Sequence, residues 1–138
     1  MIFLDSWVWL EYVFSGDKEQ AAESAIQRAN TAKKGGLIAP TTIVEVSYRV
    51  RVVEGGRTAR ETIRAIHHYE HIESVPLVDD TAERAAKLRF KYYVPGEREL
   101  SYADAIHLAT AVEHEECDTL CSGDPDFENV DEIGTTTL

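Results

Sequence analysis

Short apolar runs alternate with longer amphipathic stretches along this 138-residue chain, and few folds accept that pattern. A brief apolar run suits a strand buried on both faces. A stretch with apolar residues three and four apart suits a helix that covers such a strand. The alternation predicts an α/β fold with a mostly parallel sheet of about five strands. Strands are expected at residues 2–5, 37–39, 74–78, 119–122 and, as the weakest, 134–137. Helices are expected at 6–14, 18–33, 42–54, 57–70, 81–93 and 102–115. Gly35-Gly36, Gly55-Gly56 and Pro95-Gly96 punctuate the helical stretches. With no internal repeat and no low-complexity tract, residues 1–138 are expected to form one domain, burying about two thirds of the surface of the unfolded chain.

The first residues lead straight into this pattern, with no basic leader and no apolar stretch of membrane length, so a cytoplasmic protein is expected. The formal charge of −11 is unevenly placed. Residues 1–98 hold all 14 bases and 14 of the 25 acids, and residues 99–138 hold the other 11 acids and no base. A nucleic-acid clamp held by charge alone would look basic, and this chain does not. Two basic concentrations, Arg49, Arg51, Arg57, Arg60 and Arg64, then Arg84, Lys87, Arg89, Lys91 and Arg98, suit either phosphate contact or solvated helix faces. Cys117 and Cys121 read as buried free thiols. A zinc site would need His67, His68 or His71 at spacings that zinc motifs do not use.

In a parallel sheet, ligands bind beyond the carboxyl ends of the strands. Asp5-Ser6 follows the first strand, Pro40-Thr41-Thr42 leads to Glu45 after the second, and Ser122-Gly123-Asp124-Pro125-Asp126-Phe127 follows the fourth. Asp104 opens the helix before the fourth strand, and chain order alone leaves its edge open. Each acid has a structural explanation as well. Thr42 to Glu45 and Ser101 to Asp104 fit capping boxes, and Asp124-Pro125 fits a helix start. Asp80 to Glu83 fits the same box, with Lys87 placed to pair with Glu83. The surroundings separate the cases. Asp104 stands on an almost wholly apolar helix in line with His107 and Thr110, and Glu45 sits among Ile43, Val44 and Val46. Carboxylates buried together raise one another's pKa unless a cation neutralises them. Oxygen ligands without cysteine favour Mg2+ or Mn2+ over zinc.

Four segments taken together resemble the PIN-domain ribonucleases of the VapC toxin type. They are Phe3-Leu4-Asp5-Ser6, Glu45 early in the helix after strand two, the run from Leu100 through Ser101, Tyr102, Ala103 and Asp104 to Ala109, and Ser122 to Phe127. The third is the most specific, and the order and spacing strengthen the set. The resemblance implies a three-layer α/β/α sandwich whose acids gather at the strand ends around Mg2+ or Mn2+. It implies that Asp5, Asp104 and Asp124 hold the metal and that Glu45 binds directly, through water or at a second site. Ser6 and Ser122 would orient ligands or water, although the fourth segment is usually led by threonine. Asp126 is an auxiliary candidate that also suits a helix start. His107 reads as a satisfied buried polar residue. The implied activity is endoribonuclease cleavage of RNA by the toxin of a toxin–antitoxin pair, as a homodimer masked by a cognate antitoxin.

Rival readings are weaker. A haloacid-dehalogenase phosphatase would resemble Asp-x-Asp where Trp7 stands, and a phospho-receiver would want a lysine late in the chain, whereas none follows Lys91. The remaining alternative is a catalytically inactive PIN-like module that binds RNA or a partner protein.

Overall fold

The computed structural model describes all 138 residues. Five strands alternate with six helices: β1 (Ile2–Leu4), α1 (Ser6–Val13), α2 (Glu19–Ala29), β2 (Gly36–Ile38), α3 (Pro40–Glu54), α4 (Gly56–His67), β3 (Ile72–Ser74), α5 (Asp79–Tyr92), α6 (Tyr102–Glu113), β4 (Thr119–Ser122) and β5 (Gly134–Thr137). The sheet is parallel throughout, in the order β3-β2-β1-β4-β5. The chain therefore builds outward from β1 to one edge, crosses back, and builds to the other edge from β4.

The period of two along each strand assigns the layers. Ile2 and Leu4 of β1, Ile38 of β2 and Cys121 of β4 pack with Val8 and Trp9 of α1, Ala22, Ala25 and Ile26 of α2 and Val46 and Val50 of α3. Phe3, Leu37 and Leu120 point the other way, against Ala85 and Leu88 of α5 and Ala105, Leu108 and Ala109 of α6. Both faces of β1 are buried, which is why its sequence is uniformly apolar rather than alternating. This is the expected α/β/α sandwich.

Several boundaries differ from expectation. The third strand is residues 72–74 rather than 74–78. Pro76 has no N–H to give to a ladder, and Leu77 and Val78 are exposed, so this apolar run is a surface connection. The Gly36 amide donates to His71 O at 2.7 Å, which draws the strand start forward. Helix α3 begins at Pro40, where proline suits the first turn, and Thr42 Oγ1 accepts from the Ala39 amide at 3.2 Å. Glu45 thus lies in the second turn and is not the acid of a capping box. Helix α5 begins at Asp79, so the Asp80 to Glu83 box does not form, while Lys87 and Glu83 do pair at 3.3 Å. Both cysteines are free and Cys121 is buried, but Cys117 is partly exposed. No helix is long and apolar enough to cross a membrane.

Candidate metal centre

Asp5 leaves the end of β1 in an extended conformation and caps α1, its Oδ2 accepting from the Trp7 amide at 3.3 Å. The neighbouring central strand β4 ends at Ser122, whose hydroxyl donates to the same oxygen at 2.7 Å. From the opposite layer, His107 of α6 places Nδ1 2.7 Å from Asp5 Oδ1. Asp5 is only 3% exposed and His107 is fully buried. On its far side, His107 Nε2 stands 3.4 Å from Thr42 Oγ1 and 3.6 Å from Glu45 Oε1. Ser6 donates to that Glu45 oxygen at 3.1 Å. A single network therefore joins Asp5, Ser6, Glu45, His107 and Ser122.

The other acids border this network. Ser101 and Asp104 form the expected capping box, with the Ser101 amide donating to Asp104 Oδ2 at 2.8 Å. Even so, one carboxylate oxygen each of Asp5 and Asp104 and a ring nitrogen of His107 lie within 4.8 Å of one another. The Asp124 amide donates to Ser122 Oγ at 3.0 Å, and Asp124 caps a single 3-10 turn, Pro125–Phe127, through the Asp126 amide at 2.9 Å. Asp126 Oδ2 accepts from the Glu99 amide at 3.1 Å, which ties it to the segment before α6. Glu45 and Asp124 fall outside the tightest group.

Electrostatics bind the set more widely than hydrogen bonds do. Burial pushes the Asp5 carboxyl up, but the His107 contact and charge, with Ser122 and Trp7, outweigh it and hold the group below the usual range. Glu45 is pushed up by burial, which His107 only partly offsets, and by the charges of Asp5 and Asp104. Asp124 is pushed up by burial and by Asp126, Asp104 and Asp5. Four carboxylates thus share one field, and at Glu45 and Asp124 the balance disfavours the charged form. Clustered oxygen donors with no thiolate among them fit a hard divalent cation. Neither cysteine nor any of His67, His68 and His71 joins this group or forms a second one.

The basic concentrations divide. Lys87 and Lys91 pair with Glu83, Asp131 and Glu132, Arg89 stacks on Tyr93 and Tyr102, and Arg98 lies over Tyr92, so these four of the second set are used internally. In the first set Arg57 pairs with Glu61. Arg60 and Arg64 line a groove of about 490 Å³ between α3 and α4.

Gly123 separates Ser122 from Asp124 and lies against the Trp7 indole. A Cβ there would meet the ring at 2.2 Å. Gly123→Ala is expected to destabilise the fold by about 1–3 kcal/mol, the range for overpacking, measured by urea unfolding with Trp fluorescence. An unchanged midpoint would mean the indole swings away freely.

The family model of the PIN domain matches residues 2–133. The chain belongs to the PIN domain family. Several solved structures share its fold at low sequence identity. VapC20 of Mycobacterium tuberculosis, described as a sarcin-ricin loop cleaving toxin, is 20% identical with a TM-score of 0.73, over 92% of each chain. A chain of a toxin–antitoxin complex from Klebsiella pneumoniae is 21% identical with a TM-score of 0.70, over the full length of both. A chain of DNA-bound VapBC from Salmonella typhimurium is 13% identical with a TM-score of 0.71, over 99% of this chain and 96% of that one. No curated protein sequence matches this chain. In this PIN domain His107 is the satisfied buried polar residue expected of it, with no exposure and a partner at each ring nitrogen, but the sequence did not show that one of those partners is Asp5. The signal available was its place three positions after Asp104, on the same helix face.

Proposed function

We propose that residues 1–138 form one PIN nuclease unit, a Mg2+- or Mn2+-dependent endoribonuclease that hydrolyses RNA phosphodiester bonds as the toxin of a toxin–antitoxin pair. The observation that carries this reading is the acidic field at the sheet's carboxyl edge, in which Glu45 and Asp124 are pushed up by burial and by their acidic neighbours. Such an arrangement costs stability unless a cation occupies it, which makes a purely structural role a poor account of it. Asp5, Asp104 and Asp124 would hold the cation, with Glu45 bound through water or directly and Asp126 as a reserve ligand. When bound, a divalent cation lowers the pKa of water and offsets charge developing on a phosphodiester. The chain's own part is orientation. Ser122 and the Trp7 amide fix one Asp5 oxygen, Ser6 fixes one Glu45 oxygen, and the capping box holds Asp104 at the mouth of α6.

The toxin role rests on relatives described as toxins or parts of toxin–antitoxin complexes. A cognate antitoxin would mask the acidic centre with a basic or aromatic segment, in the cytoplasm where RNA and partner are met. A homodimer has a surface to use. Val44, Tyr48 and Val52 form a stripe along α3 at helical spacing, each more than 60% exposed.

Purified protein is expected to cut a susceptible RNA in Mg2+ or Mn2+, to stop in EDTA, and to lose cleavage in Asp104→Asn with its fold retained. Undiminished cutting in EDTA and in the variant would end the metal reading. The inactive, RNA-binding alternative predicts retention of RNA with no cleavage under any divalent ion.

A further inference from the structure

We propose that His107 is the positioning residue of the acidic centre, a buried ring that aims Asp5 with one nitrogen and ties it to α3 with the other. This rests on the reading of the site as a cation site and adds a determinant of affinity that is not itself a ligand.

The geometry on both sides of the ring supports the assignment. A carboxylate only accepts, so the 2.7 Å contact requires the proton on Nδ1, donated to Asp5 Oδ1. Each carboxylate oxygen has two lone pairs. His107 takes one from Oδ1, and Ser122 takes one from Oδ2 with the weaker Trp7 contact beside it. The plane of Asp5 is thereby fixed, and the free lone pair of Oδ1 keeps one direction. Nε2 meets the Thr42 hydroxyl at 3.4 Å, and Thr42 Oγ1 is itself held by the Ala39 amide. The Phe3 ring, 5.4 Å away and tilted by 41°, lies against the imidazole. With no exposure and a partner at each nitrogen, the ring has no second orientation of equal quality. It is carried by α6 one turn after Asp104, and it touches the end of β1 at Asp5 and the first two turns of α3 at Thr42 and Glu45. One side chain therefore sets the spacing among three elements that each carry an acid.

Direct ligation by the ring is the competing arrangement, because its nitrogen lies within 4.8 Å of the Asp5 and Asp104 oxygens. The short contact argues against it. Nδ1 gives its proton to Asp5 and so has no lone pair left for a cation, and Nε2 is turned to the Thr42 hydroxyl. Packing alone is the other competitor, and leucine would fill this apolar position about as well.

The test is Mn2+ affinity, read from the loss of the free-ion EPR signal, in the wild type and in His107→Leu, His107→Asn and His107→Gln. Folding is followed in parallel by circular dichroism and melting. Loss of a hydrogen-bonded partner behind a ligand weakens metal binding about 10- to 100-fold, and His107→Leu is expected in that range. Asparagine places its amide nitrogen where Nδ1 stands and is expected to restore affinity. Glutamine, whose amide overlays Nε2, is not. If the leucine variant does not fold, the contrast between asparagine and glutamine decides the matter alone. Equal Mn2+ affinity in all folded variants overturns the proposal, as does asparagine binding no better than glutamine. A histidine nitrogen coupling to bound Mn2+ in the wild type also overturns it, by making the ring a ligand. A wild type that takes up no Mn2+ removes the cation reading together with this one, whereas wild-type binding beside indifferent variants removes this one only.

Discussion

Asp5→Ala is expected to lower RNA cleavage about a thousandfold, the upper end of what losing one preorganised electrostatic group costs. The same change is expected to weaken the fold by about 3 kcal/mol, the lower end for breaking a buried charged pair. Both effects come from one position. Asp5 is almost fully buried and receives His107, the Ser122 hydroxyl and the Trp7 amide. Alanine leaves the imidazole and hydroxyl without their acceptor in a place that excludes water. Asp5→Asn separates the two losses. It keeps the shape and one accepting oxygen, so most of the stability returns, but it removes the charge and cleavage stays lost. Urea unfolding and an RNA cleavage assay on both variants decide it. A stable, active Asp5→Ala protein would remove Asp5 from the centre of the site.

Mn2+ at about 100 times its dissociation constant is expected to stabilise the protein by about 2.7 kcal/mol. For a chain of 138 residues that is a rise of about 10 °C in melting temperature. Glu45→Gln is expected to raise the melting temperature of the metal-free protein and to shrink the increment from Mn2+. The sign follows from the pKa directions. Glu45 and Asp124 are raised in the fold, so their contribution is present below the unfolded carboxylate value and is lost as pH rises through their folded values. At neutral pH both oppose folding until a cation arrives. Asp5 is lowered, so its contribution is present above the unfolded value and lost as pH falls through the folded one. As pH falls from neutral toward the unfolded carboxylate range, the metal-free wild type should therefore gain ground relative to a Glu45→Gln, Asp124→Asn double variant. Calorimetry across that window, with and without Mn2+, measures both effects. No Mn2+ shift in the wild type, with Glu45→Gln melting lower, would contradict the account.

Much of the fold was legible in the sequence because burial on two faces writes a local signature. Residues 119–122 and 134–137 match their strands, and the apolar helix after Ser101 begins where its cap predicts. Strand order was not legible. Nothing within β4 says that it returns to pair with β1, since that choice depends on which helices cover which face. The third strand was misplaced because Val75, Leu77 and Val78 look like a strand by composition, while Pro76 and their exposure decide otherwise. At the site, Asp5 and Ser122 could be placed at strand ends from chain order. Asp104 needed the family resemblance, because a helix start can lie at either edge. His107 was the harder case. Helical spacing puts it beside Asp104, but only the packed layers bring Asp5 within 2.7 Å of the ring and Glu45 close behind it.

The sheet order also sets a schedule during synthesis. The central strand β1 is made first, yet one of its two neighbours is β4, and the hydroxyl that fixes Asp5 comes 117 residues later. At roughly 5 to 20 residues per second, Asp5 waits about 6 to 23 seconds for that partner, and Asp124 follows two residues behind it. Until then the first half of the sheet has an open edge, and the acids already made have no shared enclosure. The centre is therefore assembled by the crossover that returns the chain from β3 to β4, and a ribosome carrying a shorter nascent chain carries no finished site.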